Sequence, residues 1–159
     1  MHDFEVNATL DKGEQYASLL PQIFALCKGE DDLIANLSNI SAALKQSFNW
    51  WWVGFYFTKD YELVLGPFQG PVACTRITYG KGVCGLAWKN NQTIIVEDVS
   101  KFPGHIACSS ASRSEIVIPI VLNNEVIAVL DLDSEHLSHF DDIDKKYLEE
   151  LCEFIATLF

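Results

Sequence analysis

The sequence predicts an α+β domain whose helices pack on one face of a mainly antiparallel sheet. Three observations carry that prediction: apolar residues at helical spacing near the N-terminus, a middle stretch of short β-prone runs joined by turn residues, and an amphipathic closing helix. At 159 residues the chain has the size of a single domain, read as residues 1–159 with no linker, repeat or low-complexity tract. Its 49% hydrophobic content and mean hydropathy of +0.12 supply a sizeable core and exclude disordered and fibrous classes.

From Asp11 to Cys27, Tyr16, Leu19, Leu20, Ile23, Phe24 and Leu26 recur at mostly helical spacing, with a break or kink expected at Pro21. Asp31 or Asp32 can cap a second helix, in which Leu33, Leu37, Ile40, Leu44 and Phe48 form one stripe. Trp50 to Phe57 is aromatic and β-prone, Lys59-Asp60 reads as a turn, and Leu63-Val64-Leu65 reads as the hairpin partner. Gly66-Pro67 and Gly70-Pro71 punctuate the chain before a short strand expected at Val72 to Ile77. The glycine-rich Gly80 to Gly85 leads into a short helix at Leu86 to Lys89, and Thr93 to Val96 reads as a strand. Glu97 to Ser112 shows neither period, and so long a loop in a small domain points to function. Arg113 to Leu122 and Glu125 to Asp133 read as strands about an Asn123-Asn124 turn, with Pro119 marking an edge or a bulge. The closing helix from Asp141 carries Ile143, Tyr147, Leu151, Phe154, Ile155 and Leu158 on one face.

Twenty-two acidic against eleven basic residues give a net charge of −11, spread over both halves. That charge repels phosphate backbones and anionic lipid, so neither nucleic acid nor a membrane surface is an expected partner. No apolar run has the length of a membrane span. Met1-His2-Asp3-Phe4-Glu5 lacks the basic and apolar regions of an export signal, so a cytoplasmic location is expected. Five cysteines, an odd number, argue for reduced thiols rather than a structural disulfide framework.

Cys27 and Cys152 fall within helical apolar patterns and read as core residues. Cys74, Cys84 and Cys108 sit beside turn chemistry or in the long loop, without a Cys-x-x-Cys pair, which does not match structural zinc. A zinc site drawn from His105, Cys108 and the other two thiols is a weak alternative, and His105 reads more simply as a loop residue bonding backbone. Spacing leaves incidental packing and thiol chemistry both open for the three cysteines. Thiol chemistry needs a thiolate, a second thiol to close on it, and an activating partner such as Arg113, His105 or a run of backbone N–H groups. Glu115, Asp131 and Asp133 stand out as carboxylates among strand-forming neighbours, and Asp131 and Asp133 point to one strand face. Crowded carboxylates can hold an ammonium and keep one proton for acid catalysis. The alternative, a solvent-facing strand end, is the one composition favours. Asp141, Asp142 and Asp144 suit a helix start and need no further role.

Several segments together resemble the free methionine-(R)-sulfoxide reductases, which are stand-alone GAF-type domains. They are Trp52-Val53-Gly54-Phe55-Tyr56, Val72-Ala73-Cys74-Thr75-Arg76-Ile77, Gly80-Lys81-Gly82-Val83-Cys84-Gly85, Phe102 to Cys108, Ser112-Arg113-Ser114-Glu115-Ile116-Val117 and Val129-Leu130-Asp131-Leu132-Asp133-Ser134. They occur in order, the flanking helices fit the same domain, and the three-cysteine pattern is specific, since sensory GAF domains in general lack it. Ser109 departs from the acidic residue expected after the cysteine in many relatives.

The resemblance implies a GAF-like sheet of about six antiparallel strands, with helices behind it and a loop-covered pocket in front. It implies Cys108 as nucleophile, Cys74 as resolving thiol, Cys84 as an auxiliary thiol, Glu115, Asp131 and Asp133 as acidic substrate-binding residues, and Trp52 with Tyr56 as an aromatic wall. The implied activity is reduction of free L-methionine-(R)-sulfoxide with no bound cofactor and no metal, recycled by the thioredoxin system. Relatives are homodimers, which makes Trp50 or Trp51 candidates for an interface. Two other readings share the same pocket: a non-catalytic GAF sensor with redox-switch cysteines, and a thiol–zinc binding module.

Overall fold

Residues 6–106, 108 and 110–159 are described by the computed structural model. Asp11 closes a capping box at the start of helix α1, Lys12–Cys27: its carboxylate accepts from the Glu14 amide while the Glu14 carboxylate accepts from the Asp11 amide. Helix α1 runs through Pro21 without the expected break. Pro21 is exposed, so the carbonyl it leaves without an amide partner can turn to water. Asp32, not Asp31, caps α2, Leu33–Phe48, by accepting from the Ala35 amide at 2.8 Å, and Asn49 ends it in the left-handed conformation.

Strands β1, Trp52–Lys59, and β2, Glu62–Gln69, form a hairpin about Asp60-Tyr61. Gly66-Pro67 does not end β2, because the β1–β2 register slips between Gly54 and Tyr56, and the resulting bulge takes up a proline with no amide to offer. The next strand, β3, is Arg76–Thr78 rather than Val72–Ile77: only these three residues pair with Glu62–Val64, and Ala73 and Cys74 leave the sheet. Helix α3, Gly82–Asn90, takes in glycines expected to form a loop. Gly85 permits this, since a Cβ there would stand 2.6 Å from the Thr78 carbonyl oxygen; the helix rests directly on backbone. Strand β4, Ile94–Val96, follows, and among its described residues the long loop contains a single 3₁₀ turn at Val99–Lys101. Strands β5, Ser114–Leu122, and β6, Glu125–Ser134, join through Asn123 and Asn124 at φ of 52° and 66°, the geometry of a two-residue hairpin turn. Pro119 lies beyond Val117, the last β5 residue paired with β4, so its outer side is locally an edge. Helix α4, Asp142–Ala156, closes the fold behind a capping box of Asp141 and Asp144.

The sheet order is β3-β2-β1-β6-β5-β4, with every neighbouring pair antiparallel. Val53 and Phe55 of β1, Ile116, Ile118 and Ile120 of β5, and Leu130 and Leu132 of β6 face α1, α2 and α4 in the main core. Trp52, Tyr56, Val117 and Val129 face the other way and form a second cluster with Val83, Cys84 and Ala87 of α3. The three long helices therefore share one face, as expected, while short α3 covers the other and walls a pocket. Cys27 and Cys152 lie in the main core, as expected. So does Trp50, stacked on Phe48 and tilted against Phe140, which removes it as an interface residue. Among the described residues no helix is long and apolar enough to cross a membrane.

Ile143, expected on the buried face of α4, is exposed, and the buried Asp144 does more than complement a helix dipole. Its carboxylate accepts from Lys12 Nζ at 2.6 Å, from the Tyr16 hydroxyl at 2.7 Å and from the Asp141 amide at 2.9 Å. Burial draws the Lys12 pKa down, but the hydrogen bonds and charges of Asp144 and Asp141 outweigh it and hold that pKa raised, so the ammonium stays charged. This cluster locks α1 to α4. Asp144→Ala removes the carboxylate from a buried tyrosine and a half-buried lysine, and should destabilise the protein by about 3 kcal/mol. Urea denaturation measures it; a loss below about 1 kcal/mol would contradict the role assigned to Asp144.

Candidate active site

Strand register assembles the site. Glu115 of β5 lies opposite Asp133 of β6, Asp133 lies opposite Trp52 of β1, and Asp131 lies opposite both Gly54 and Val117. Directly paired residues share a face. The alternation that buries Leu130 and Leu132 under the helices thus turns all three carboxylates, with Trp52 and Tyr56, towards the pocket. Seven of the eight residues singled out from the sequence line it: Trp52, Tyr56, Cys84, Cys108, Glu115, Asp131 and Asp133. The eighth, Cys74, joins at the rim through a disulfide to Cys108, with the two Cα atoms 5.4 Å apart.

Trp52 is held from three sides. Its indole N–H donates to the Pro71 carbonyl at 3.1 Å, and its rings stack on Phe68 and Tyr56 at centroid distances of 5.3 and 5.9 Å. Gly54 makes room for it, since a Cβ there would stand 2.4 Å from both Trp52 Cη2 and Phe68 Cβ. The Tyr56 hydroxyl donates to the Cys74 carbonyl at 2.9 Å and so ties the cysteine-bearing rim to the sheet.

The solvent-facing reading of the acids does not hold, because Glu115 and Asp131 are buried. Burial pushes the pKa of Glu115 well up, and the charge of Asp133 adds to it. Burial likewise pushes Asp131 well up, followed by the charges of Asp133 and Glu115. Asp133 is pushed up to about 6 by burial, partly offset by a hydrogen bond from the Ser112 hydroxyl and by His105. Cys84, buried against Asp131 and Glu115, has its pKa pushed well up and is a protonated thiol rather than a thiolate. Asp131 Oδ1 is buried with no hydrogen-bond partner among the described residues. Such a set accepts a cation and can retain a proton near neutral pH.

Two polar contacts were not assigned from the sequence, although His105 was named there as a possible activator of a thiol. Ser112 precedes β5 and carries no spacing signal, yet it donates to Asp133. His105, expected to bond backbone through its ring, instead brings Nε2 to 3.3 Å from Glu115 Oε2, and burial lowers its pKa against the opposing charge of Asp133. Arg113, a suggested activator, is exposed and does not line the pocket. Ala107 and Ser109 of the loop motif lie outside the described residues.

The acids give a sign to the pH dependence of stability. Asp133 holds its proton up to about 6 in the fold but only to about 3.9 in an unfolded chain. The neutral form favours folding at low pH, and that advantage is lost as pH rises from about 4 to about 6. Asp133→Asn should therefore match wild type near pH 4 and be the more stable by ~1–3 kcal/mol at pH 7 in ligand-free protein. Urea midpoints across that range test it, and a variant less stable at pH 7 would contradict it.

The GAF domain description matches residues 30–159. The chain is 58% identical over 145 residues to GAF domain-containing protein A of Dictyostelium discoideum, covering 91% of this chain and 92% of that protein. It is 48% identical over 145 residues to the free methionine-R-sulfoxide reductase of Escherichia coli, covering 89% of this chain and 87% of the enzyme. The crystal structure of free methionine-R-sulfoxide reductase from Neisseria meningitidis, in complex with its substrate, superposes with a TM-score of 0.97 at 51% identity over 100% of this chain and 96% of that one. With its matching fold, three pocket acids and rim cysteine pair, this chain belongs to the GAF domain family and, within it, to the free methionine-R-sulfoxide reductases.

Proposed function

We propose that the pocket reduces free L-methionine-(R)-sulfoxide to methionine with Cys108 as nucleophile, Cys74 as resolving thiol and a thioredoxin-type dithiol as final reductant. The observation that carries this reading is the Cys74–Cys108 pair at the rim of a pocket floored by Glu115, Asp131 and Asp133. A free amino acid brings an ammonium that meets the carboxylates, and its methyl and methylene groups suit the Trp52 face. Peptide-bound methionine sulfoxide has no ammonium to offer, which favours the free form.

In the reaction, the Cys108 thiolate attacks the sulfoxide sulfur while a carboxylic acid of the set gives its proton to the sulfoxide oxygen. The oxygen ends on Cys108 as a sulfenic acid and methionine leaves. The Cys74 thiol then attacks that sulfur, water is released, and the Cys74–Cys108 disulfide forms. Two electrons from an external dithiol reopen it by exchange. The raised pKa values of Glu115 and Asp131 support a resident proton, and the contact between the Tyr56 hydroxyl and the Cys74 carbonyl supports a fixed approach for the resolving thiol.

NADPH oxidation coupled through thioredoxin and thioredoxin reductase should follow free L-methionine-(R)-sulfoxide, with neither the (S) epimer nor the N-acetylated sulfoxide consumed. Equal turnover of the N-acetylated compound would exclude the ammonium role of the acids. Cys108→Ser should abolish turnover, while Cys74→Ser should release about one methionine per chain and then stall as the sulfenic acid. Gly54→Ala, which must displace the Trp52 ring, should raise KM roughly tenfold, equivalent to about 1.4 kcal/mol. An unchanged KM would sever Trp52 from substrate binding.

A further inference from the structure

Sulfoxide chemistry, as written above, leaves Cys84 without a task. It sits on the third residue of α3, buried in the pocket wall, with its thiol towards the Asp131 carboxylate. One ligand atom each from Cys84, Glu115 and Asp131 lie within 4.8 Å of one another, all three side chains buried. Asp131 lines the pocket and is only 7% exposed, and its Oδ1 has no hydrogen-bond partner among the described residues. An ammonium group satisfies carboxylates but gains nothing from a thiol. A thiophilic divalent cation uses both, since thiolate sulfur and carboxylate oxygen are each zinc ligands.

We propose that Cys84, Glu115 and Asp131 form a three-ligand site for Zn²⁺ or a cation of similar softness, whose fourth position opens into the pocket, so that the cation and the amino-acid substrate exclude one another. Zinc–sulfur bonds of about 2.3 Å and zinc–oxygen bonds of about 2.0–2.2 Å separate tetrahedral ligands by about 3.5 Å. Side-chain rotation on three rigid elements closes the set to that size. On binding, the Cys84 S–H bond is exchanged for a sulfur–metal bond, and its proton, together with the proton held by the Glu115–Asp131 pair, passes to solvent. Exclusion of substrate, unlike the cation site itself, rests on the function proposed above.

The test uses the full chain with its Cys74–Cys108 disulfide intact, so that neither of those sulfurs can act as a thiolate and Cys84 is the one pocket thiol left. Titration with Co²⁺ should give a single equivalent of a thiolate-to-cobalt charge-transfer band in the near ultraviolet, displaced by Zn²⁺. Cys84→Ser should lose the band, and Asp131→Asn should weaken cobalt binding at least tenfold, both in protein whose circular dichroism matches wild type. No band in wild type, or a band retained in Cys84→Ser, would overturn the site. Free L-methionine-(R)-sulfoxide should raise the apparent cobalt Kd in proportion to its concentration. A band indifferent to the sulfoxide would overturn the exclusion alone, and a protein that turns over sulfoxide without binding cobalt would overturn the cation site while leaving the activity standing.

Discussion

The crowding of three carboxylates, two of them buried, is the constraint around which this molecule is arranged. Removing one ionised carboxylate from water costs several kcal/mol, and Glu115, Asp131 and Asp133 are set side by side on two adjacent strands. Such a cluster survives only on a scaffold too rigid to let the side chains drift apart into solvent. The scaffold is the other face of the same strands, where Ile116, Leu130 and Leu132 alternate with the acids and anchor under α1, α2 and α4. One two-residue period thus serves both stability and chemistry.

The catalytic-side parts divide between that scaffold and the rim. The acids, Trp52 and Tyr56 ride on central strands, and Cys84 on a helix seated directly on backbone. Cys74, His105 and Cys108 come from irregular segments, tied down by contacts from the rigid side: Trp52 to Pro71, Tyr56 to Cys74 and Glu115 to His105. On the proposed function, groups that bind substrate are fixed, and groups that change bonding partners sit where the backbone can adjust.

Legibility in the sequence followed from how local each signal was. Helical stripes and strand alternation are decided within a few residues, and α2, β5, β6 and α4 emerged close to their expected bounds. Pro21, Gly66-Pro67 and the glycines of α3 misled because their effect depends on distant partners: an exposed helix face, a bulge across from Gly54, and the Thr78 carbonyl under Gly85. The eight site residues were nameable because the resemblance supplied their roles, while chemistry alone left the acids as a solvent-facing strand end. Ser112 stayed hidden, and His105, named as a possible thiol activator, could not be matched to its partner, because a serine or histidine in a loop has no pattern until the fold points it at Asp133 or Glu115.

The disulfide at the rim joins residues 34 apart in sequence, and the segment between them contains β3, α3 and β4. Oxidation therefore encloses seven of the fifteen described residues that line the pocket in a closed ring, which removes unfolded-state freedom worth ~4 kcal/mol on a chain-entropy account. By thermodynamic linkage, the same quantity must reappear as added resistance of that bond to reduction in the folded protein. Each turnover would then cycle the molecule between a stiffer and a more open form of one ring. A dithiol reductant acts against the cohesion of the fold as well as against a sulfur–sulfur bond.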